Sequence, residues 1–328
     1  MEMRKVIIDT DPGVDDAIAI LLALSARTEI EVLALTTVNG NVGLEHVTEN
    51  ALQILNLAGR EDIPVYKGEA RPLAGVNPHC EHIHGEDGLG GVRISGVTKD
   101  TEKESAVEFL VRAAREKRDE LTLLLIGPLT NIAKAIQMDP EFVSNVHEII
   151  IMGGAIAGGN MSPHAEFNFW MDPEAAKIVF EAGFQHLTMI GLDATGYIWL
   201  NSDLRELLNQ IGTPVSRFIH EITRVYVDAY WNTTKQIGCE LCDALIPAYL
   251  LDPDVAEIRK AHVEIDTEGL CRGASVVYSP VQYPEKPINC QVAYRADTRR
   301  FFHIFFQYLF PDYLEVSDCY NSGQHPAN

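Results

Sequence analysis

Basic residues are scarce in this chain: 26 Lys and Arg stand against 47 Asp and Glu over 328 residues, a formal net charge of −21. A surface so poor in cations does not reward the phosphates of a nucleic acid or an anionic membrane, which excludes both as main partners and favours a small neutral or cationic ligand. Cysteine is sparse too: Cys80, Cys239, Cys242, Cys271, Cys290 and Cys319 lie mostly in apolar contexts, which excludes a dense disulfide framework and predicts reduced thiols. No apolar run approaches the ~20 residues of a bilayer span. The first strand also starts too early for a signal peptide, so a cytoplasmic protein is expected. Internal repeats and Ser/Gly linkers are missing, and with 46% hydrophobic content the chain reads as a single domain, 1–328.

What the chain does hold is acid in one place. The apolar strand Val6-Ile7-Ile8 runs into Asp9-Thr10-Asp11-Pro12-Gly13-Val14-Asp15-Asp16-Ala17, with four carboxylates in eight residues. Asp9 and Asp11, two apart, leave an extended chain on one face at the strand's carboxyl end. Pro12 and Gly13 read as a turn, and Ala17 to Leu24 as an apolar helix with Asp15 and Asp16 in its first turn. A helix N-terminus offsets part of the repulsion but cannot neutralise four converging acids. A hard cation with oxygen ligands, Ca²⁺ or Mg²⁺, is the natural remedy. The plainer alternative, a solvated acidic turn, is disfavoured by the position at a strand end, where α/β proteins bind ligands.

Further strands are expected over 31–38, 63–66, 121–126, 146–152 and 186–192, and helices over 45–57, 105–117, 129–138 and 173–182. This alternation predicts an α/β fold: an open, mainly parallel, Rossmann-like sheet with helices on both faces. Residues 67–100, rich in Gly, Pro and His, form a long loop holding His79, His82 and His84. Beyond about residue 200 the pattern is mainly helical, over 202–209, 214–230, 243–251 and 298–309, with peripheral strands at 276–278 and 291–293.

Polar residues mark the other strand ends, which a parallel sheet brings to one edge: Asn39-Gly40-Asn41, Gly127-Pro128-Leu129-Thr130-Asn131 and Met152-Gly153-Gly154. Together with the opening motif, Ala165-Glu166-Phe167-Asn168 and Asp172-Pro173-Glu174-Ala175-Ala176, this ordered set resembles the nucleoside hydrolases of the inosine-uridine-preferring type, from the first strand to about residue 260.

The resemblance implies a nucleoside hydrolase fold with Ca²⁺ at the bottom of the pocket, and hydrolysis of the N-glycosidic bond of a small-molecule ribonucleoside to ribose and free base. By motif match, Asp11, Asp16 and Asp243 bind the ion through side chains and Ile126 through its carbonyl. Asp15 and Asn41 take the ribose hydroxyls, Asn160, Glu166 and Asn168 the 5′ side and sugar ring, and Met152 packs nearby, with Asp9 in support. Asp11 is the implied base for direct water attack, which inverts the anomeric carbon. Carboxylates and amide oxygens suit this reaction, because cleavage builds oxocarbenium character on the ribose. Family members usually form homodimers or homotetramers.

The chain departs from the family where His commonly precedes the late calcium aspartate: the residue here is Cys242. A thiol is a poorer proton donor to a departing purine than an imidazole of pKa near ~6.5. His84 is the first alternative, and Tyr226, Tyr230 and Trp231 are candidates for contacting the base, although aromatic residues at helical spacing are more often core. His79 and His82 read as solvated loop residues. Cys239-Glu240-Leu241-Cys242 lacks the second ligand pair of a zinc site. Two competing functions are a sensor that keeps the pocket without turnover and a metal-dependent phosphatase built on Asp-x-Asp, which the Asp-Pro-Gly-x-Asp-Asp continuation disfavours.

Overall fold

Strands rich in Ile, Leu and Val form the centre of the molecule, in a computed structural model that describes residues 3–315. Cys319 lies outside the described residues. β1 (Arg4–Thr10), β2 (Ile30–Thr37), β3 (Val65–Lys67), β4 (Leu121–Leu125), β5 (Glu148–Met152) and β6 (Leu187–Ile190) are all parallel. The period of two sends Val6 and Ile8 to one apolar layer and Ile7 to the other, as it does Leu124 against Leu123 and Leu125. The first layer packs the helices Val14–Ser25, Leu245–Leu251 and Thr298–Leu309; the second packs Ala106–Glu116, Thr130–Met138 and Pro173–Glu181. Val14–Ser25 is apolar all round after its two acids, and Val14 to Leu24 are buried throughout.

After β6 come the short β7 (Trp199–Leu200) and β8 (Cys239–Glu240), then β9 (Ala256–Ile265), β10 (Ser275–Tyr278) and β11 (Cys290–Ala296). β7 and β8 pair with each other, while the large sheet runs β10-β9-β11-β6-β5-β4-β1-β2-β3. The order reverses at β1, which has β4 on one side and β2 on the other. The crevice beyond the carboxyl ends of β1 and β4 is therefore a topological switch point, the place where open α/β sheets bind ligands.

The α/β fold agrees with the sequence reading, and the C-terminal third corrects its detail. β11 is not peripheral: it pairs parallel with β6 and antiparallel with β9 inside the sheet. β9 escapes notice because charged residues interrupt it, although Ala261, Val263 and Ile265 are buried at a spacing of two. The 67–100 loop contains a short helix, Glu81–His84. No helix among the described residues is long and apolar enough to cross a membrane.

Candidate active site

The turn after β1 is fixed by its own acids. Asp16 Oδ1 accepts the Thr10 hydroxyl at 2.7 Å, and Asp16 Oδ2 accepts the Gly13 backbone N–H at 3.0 Å, capping the Val14–Ser25 helix. Asn41, just beyond β2, bridges the acids: its side-chain amide donates to Asp11 O at 3.1 Å and Asp16 Oδ2 at 3.0 Å, and its backbone N–H donates to Asp11 Oδ2 at 2.7 Å. Two glycines make room for the Asp11 carboxylate. A Cβ at Gly40 would overlap Asp11 Oδ2, and one at Gly127 would lie 2.6 Å from Oδ1. Asp9, deeper in β1, accepts Thr36 Oγ1 at 2.6 Å and Asn131 Nδ2 at 2.8 Å, and its carbonyl holds the Ile126 N–H at 2.9 Å.

Asp243 arrives from the distant turn before the Leu245–Leu251 helix. Oxygens of Asp15, Asp16 and Asp243 lie within 4.8 Å of one another, and all three side chains are buried. Asp11 stands beside this group, with Oδ1 buried and without a hydrogen-bond partner. Burial, then repulsion from neighbouring acids, pushes Asp11 and Asp243 well above the carboxylate range and Asp15 up to about 7; burial also raises Asp16. A buried all-oxygen donor set with an orphaned carboxylate oxygen fits a hard cation such as Ca²⁺ or Mg²⁺ and does not suit a soft one.

Above the acids lies a cavity of about 590 Å³. Of the residues singled out in the sequence, Asp15, Asn41, His84, Ile126, Met152, Asn160, Glu166, Asn168, Tyr226, Tyr230, Cys242 and Asp243 line it. Asp11 and Asp16, fully buried, lie outside that lining. Asn168 donates its amide to the Ile126 carbonyl at 3.3 Å and the Met152 carbonyl at 3.2 Å. Glu166 caps the short helix Phe167–Met171, accepting the N–H of Asn168, Phe169 and Gly154. Burial raises Glu166 to about 7. Trp231 is 48% exposed and does not line the cavity, whereas exposed His82 does.

His84 turns Nδ1 to the Val14 N–H at 3.1 Å, so that nitrogen accepts and the ring proton sits on Nε2. Burial, then His82, lowers its pKa to about 3, which keeps the imidazole neutral. Its ring lies 5.0 Å from that of Tyr226, which is T-shaped on Tyr230. Burial pushes the Cys242 thiol well above its ordinary value, making it a poor proton donor. The sequence reading missed Glu240, Cys80 and Thr233, which also line the cavity. Cys80 and Thr233 sit in no recognisable motif, and Glu240 lies inside the Cys239–Cys242 pair, where its place three residues before Asp243 is the one local hint.

The family described as "Inosine-uridine preferring nucleoside hydrolase" matches residues 6–303. Uridine nucleosidase 1 of Arabidopsis thaliana is 40% identical over 277 residues, covering 84% of this chain and 82% of that protein. The inosine-uridine preferring nucleoside hydrolase of Leishmania major is 38% identical, covering 91% of this chain and 95% of its own. Among solved structures, the purine-preferring ribonucleoside hydrolase from Gardnerella vaginalis superposes with a TM-score of 0.88 at 32% identity, covering 96% of this chain and 100% of that one.

Proposed function

From the premise that this chain belongs to the inosine-uridine preferring nucleoside hydrolase family, and is thus a ribonucleoside hydrolase, an N-glycosidase, we propose that it uses Ca²⁺ and direct attack by water. The observation that carries this reading is the convergence of Asp11, Asp15, Asp16 and Asp243, buried beneath an open cavity. Asp11, Asp16, Asp243 and the Ile126 carbonyl would hold the ion, and Asp15 and Asn41 would receive the ribose hydroxyls. A hard cation, when bound, supplies the positive charge that keeps these acids ionised and orients oxygen ligands around it.

Asp11 takes the proton from the attacking water; its Oδ1 is a buried oxygen that no protein donor occupies. Asn160, Glu166 and Asn168 hold the 5′ side and ring of the sugar, so amide and carboxyl oxygens face the carbon where positive charge develops. Water arrives opposite the base and inverts the anomeric carbon. Neutral His84 and the thiol of Cys242 are poor acids, so the base departs through other contacts along the Tyr226–Tyr230 wall. Assembly as a homodimer or homotetramer and residence in the cytoplasm complete the proposal; light scattering on the eluted protein tests the first.

The test is release of ribose from uridine, cytidine, inosine, adenosine and guanosine, with Asp11→Ala alongside. Folded Asp11→Ala protein with normal kcat would remove Asp11 from the mechanism.

A further inference from the structure

The cavity holds four acidic residues: Asp15, Glu166, Glu240 and Asp243. Asp15 and Asp243 belong to the acid cluster, and Glu166, which caps a helix, is already assigned to the sugar, which leaves Glu240. It ends β8 and sits opposite Trp199 of β7 in an antiparallel pair, so its backbone is fixed. Its Oε2 accepts the Cys242 thiol at 3.6 Å, and the Tyr230 phenol lies beside the carboxyl group as its second polar neighbour. Tyr230 is held edge-on between Trp199 and Tyr226, with both ring centroids 5.3 Å away. Both neighbours are neutral, a thiol and a phenol. The thiol orients the carboxylate without neutralising it, and of its roughly four acceptor sites about three remain for the phenol and a ligand.

With ribose over Asp15, Asn41 and Asn168, the base meets Tyr226, Tyr230 and Cys242, and therefore the carboxylate that Cys242 orients. We propose that Glu240 selects the base, by accepting a hydrogen bond from the ring imide N–H of a uracil-type pyrimidine. Cytosine places a lone pair at that ring nitrogen, which faces the carboxylate acceptor to acceptor. A site built to hydrogen-bond a substrate rejects the analogue lacking the donor by as much as ~10⁴-fold. Glu240 is only partly buried, and a preference of ~10-fold or more is expected. The assignment rests on the ribose placement proposed above.

The experiment is kcat/KM for uridine, cytidine and 3-methyluridine, whose imide proton is replaced, with wild-type enzyme and Glu240→Gln. Wild type should prefer uridine to both others by ~10-fold or more. Glu240→Gln should bring the uridine-to-cytidine ratio towards unity, since an amide can turn its NH₂ to the cytosine nitrogen. A merely structural role would lower all three substrates together. The assignment is overturned if wild type cleaves 3-methyluridine or cytidine as well as uridine, or if folded Glu240→Gln keeps the wild-type ratio. Absence of turnover on every nucleoside, inosine included, would instead defeat the hydrolase reading beneath it.

Discussion

The two ends of β1 handle charge in opposite ways. At the amino end, Arg4 bonds Glu148 and Lys5 bonds Glu120, in pairs partly open to solvent. At the carboxyl end Asp9, Asp11, Asp15 and Asp16 are buried, and the partners that oppose their repulsion are hydroxyls and amides: Thr36, Asn131, Asn41, Thr10 and the Gly13 N–H. Solvated pairs at the first end contribute little either way. At the second end the acids stay destabilised until a cation or a proton arrives, so sequence acidity has become binding capacity.

The comparison breaks most visibly at Asp11. Asp11→Ala should lower kcat by ~10²–10⁴-fold. The metal-free variant should melt no lower than metal-free wild type, because a repelling buried carboxylate has gone. A calorimetric scan beside the kinetics checks both.

Metal removal comes next. Asp15 has its pKa raised from 3.8 to about 7, so the folded protein binds more protons than the unfolded chain between those values. Metal-free stability should therefore fall as pH rises from about 4 to 7, and Ca²⁺ should reverse the trend by binding the ionised acids. At a hundredfold excess over Kd the gain is ~2.7 kcal/mol, visible in Tm. A metal-free Tm that climbs through this window would show that the acids are not strained.

Smaller effects sharpen the contrast. Cys242→Ala should change kcat less than ~10-fold, and a loss of ~10²-fold or more would make the thiol the proton donor after all. At the other end of β1, Glu120→Ala should cost under ~1 kcal/mol in denaturant unfolding and leave kcat unchanged.

The sequence reads well where chemistry and chain order coincide. Asp9 to Asp16 betray themselves because strand, turn and helix start are consecutive, Gly127 to Asn131 marks the end of β4, and Asp172-Pro173 marks the start of a helix. β9 was hidden because its charged residues obscure an alternation that only three buried side chains keep. The cap made by Glu166 is hidden for another reason: spacing alone cannot tell an extended pair from a cap bonded to the N–H two residues on. Glu240 was illegible, since its meaning comes from Tyr230 and the β7 pairing, contacts that no local pattern records.

The most direct measurement of the central claim is ribose release from uridine and inosine by protein stripped of metal and dialysed, then titrated with Ca²⁺. Turnover should vanish on stripping and return with Ca²⁺ in step with the rise in Tm. Full turnover by the stripped, folded protein would contradict the account, because the buried acids would then act without the cation they are arranged to hold.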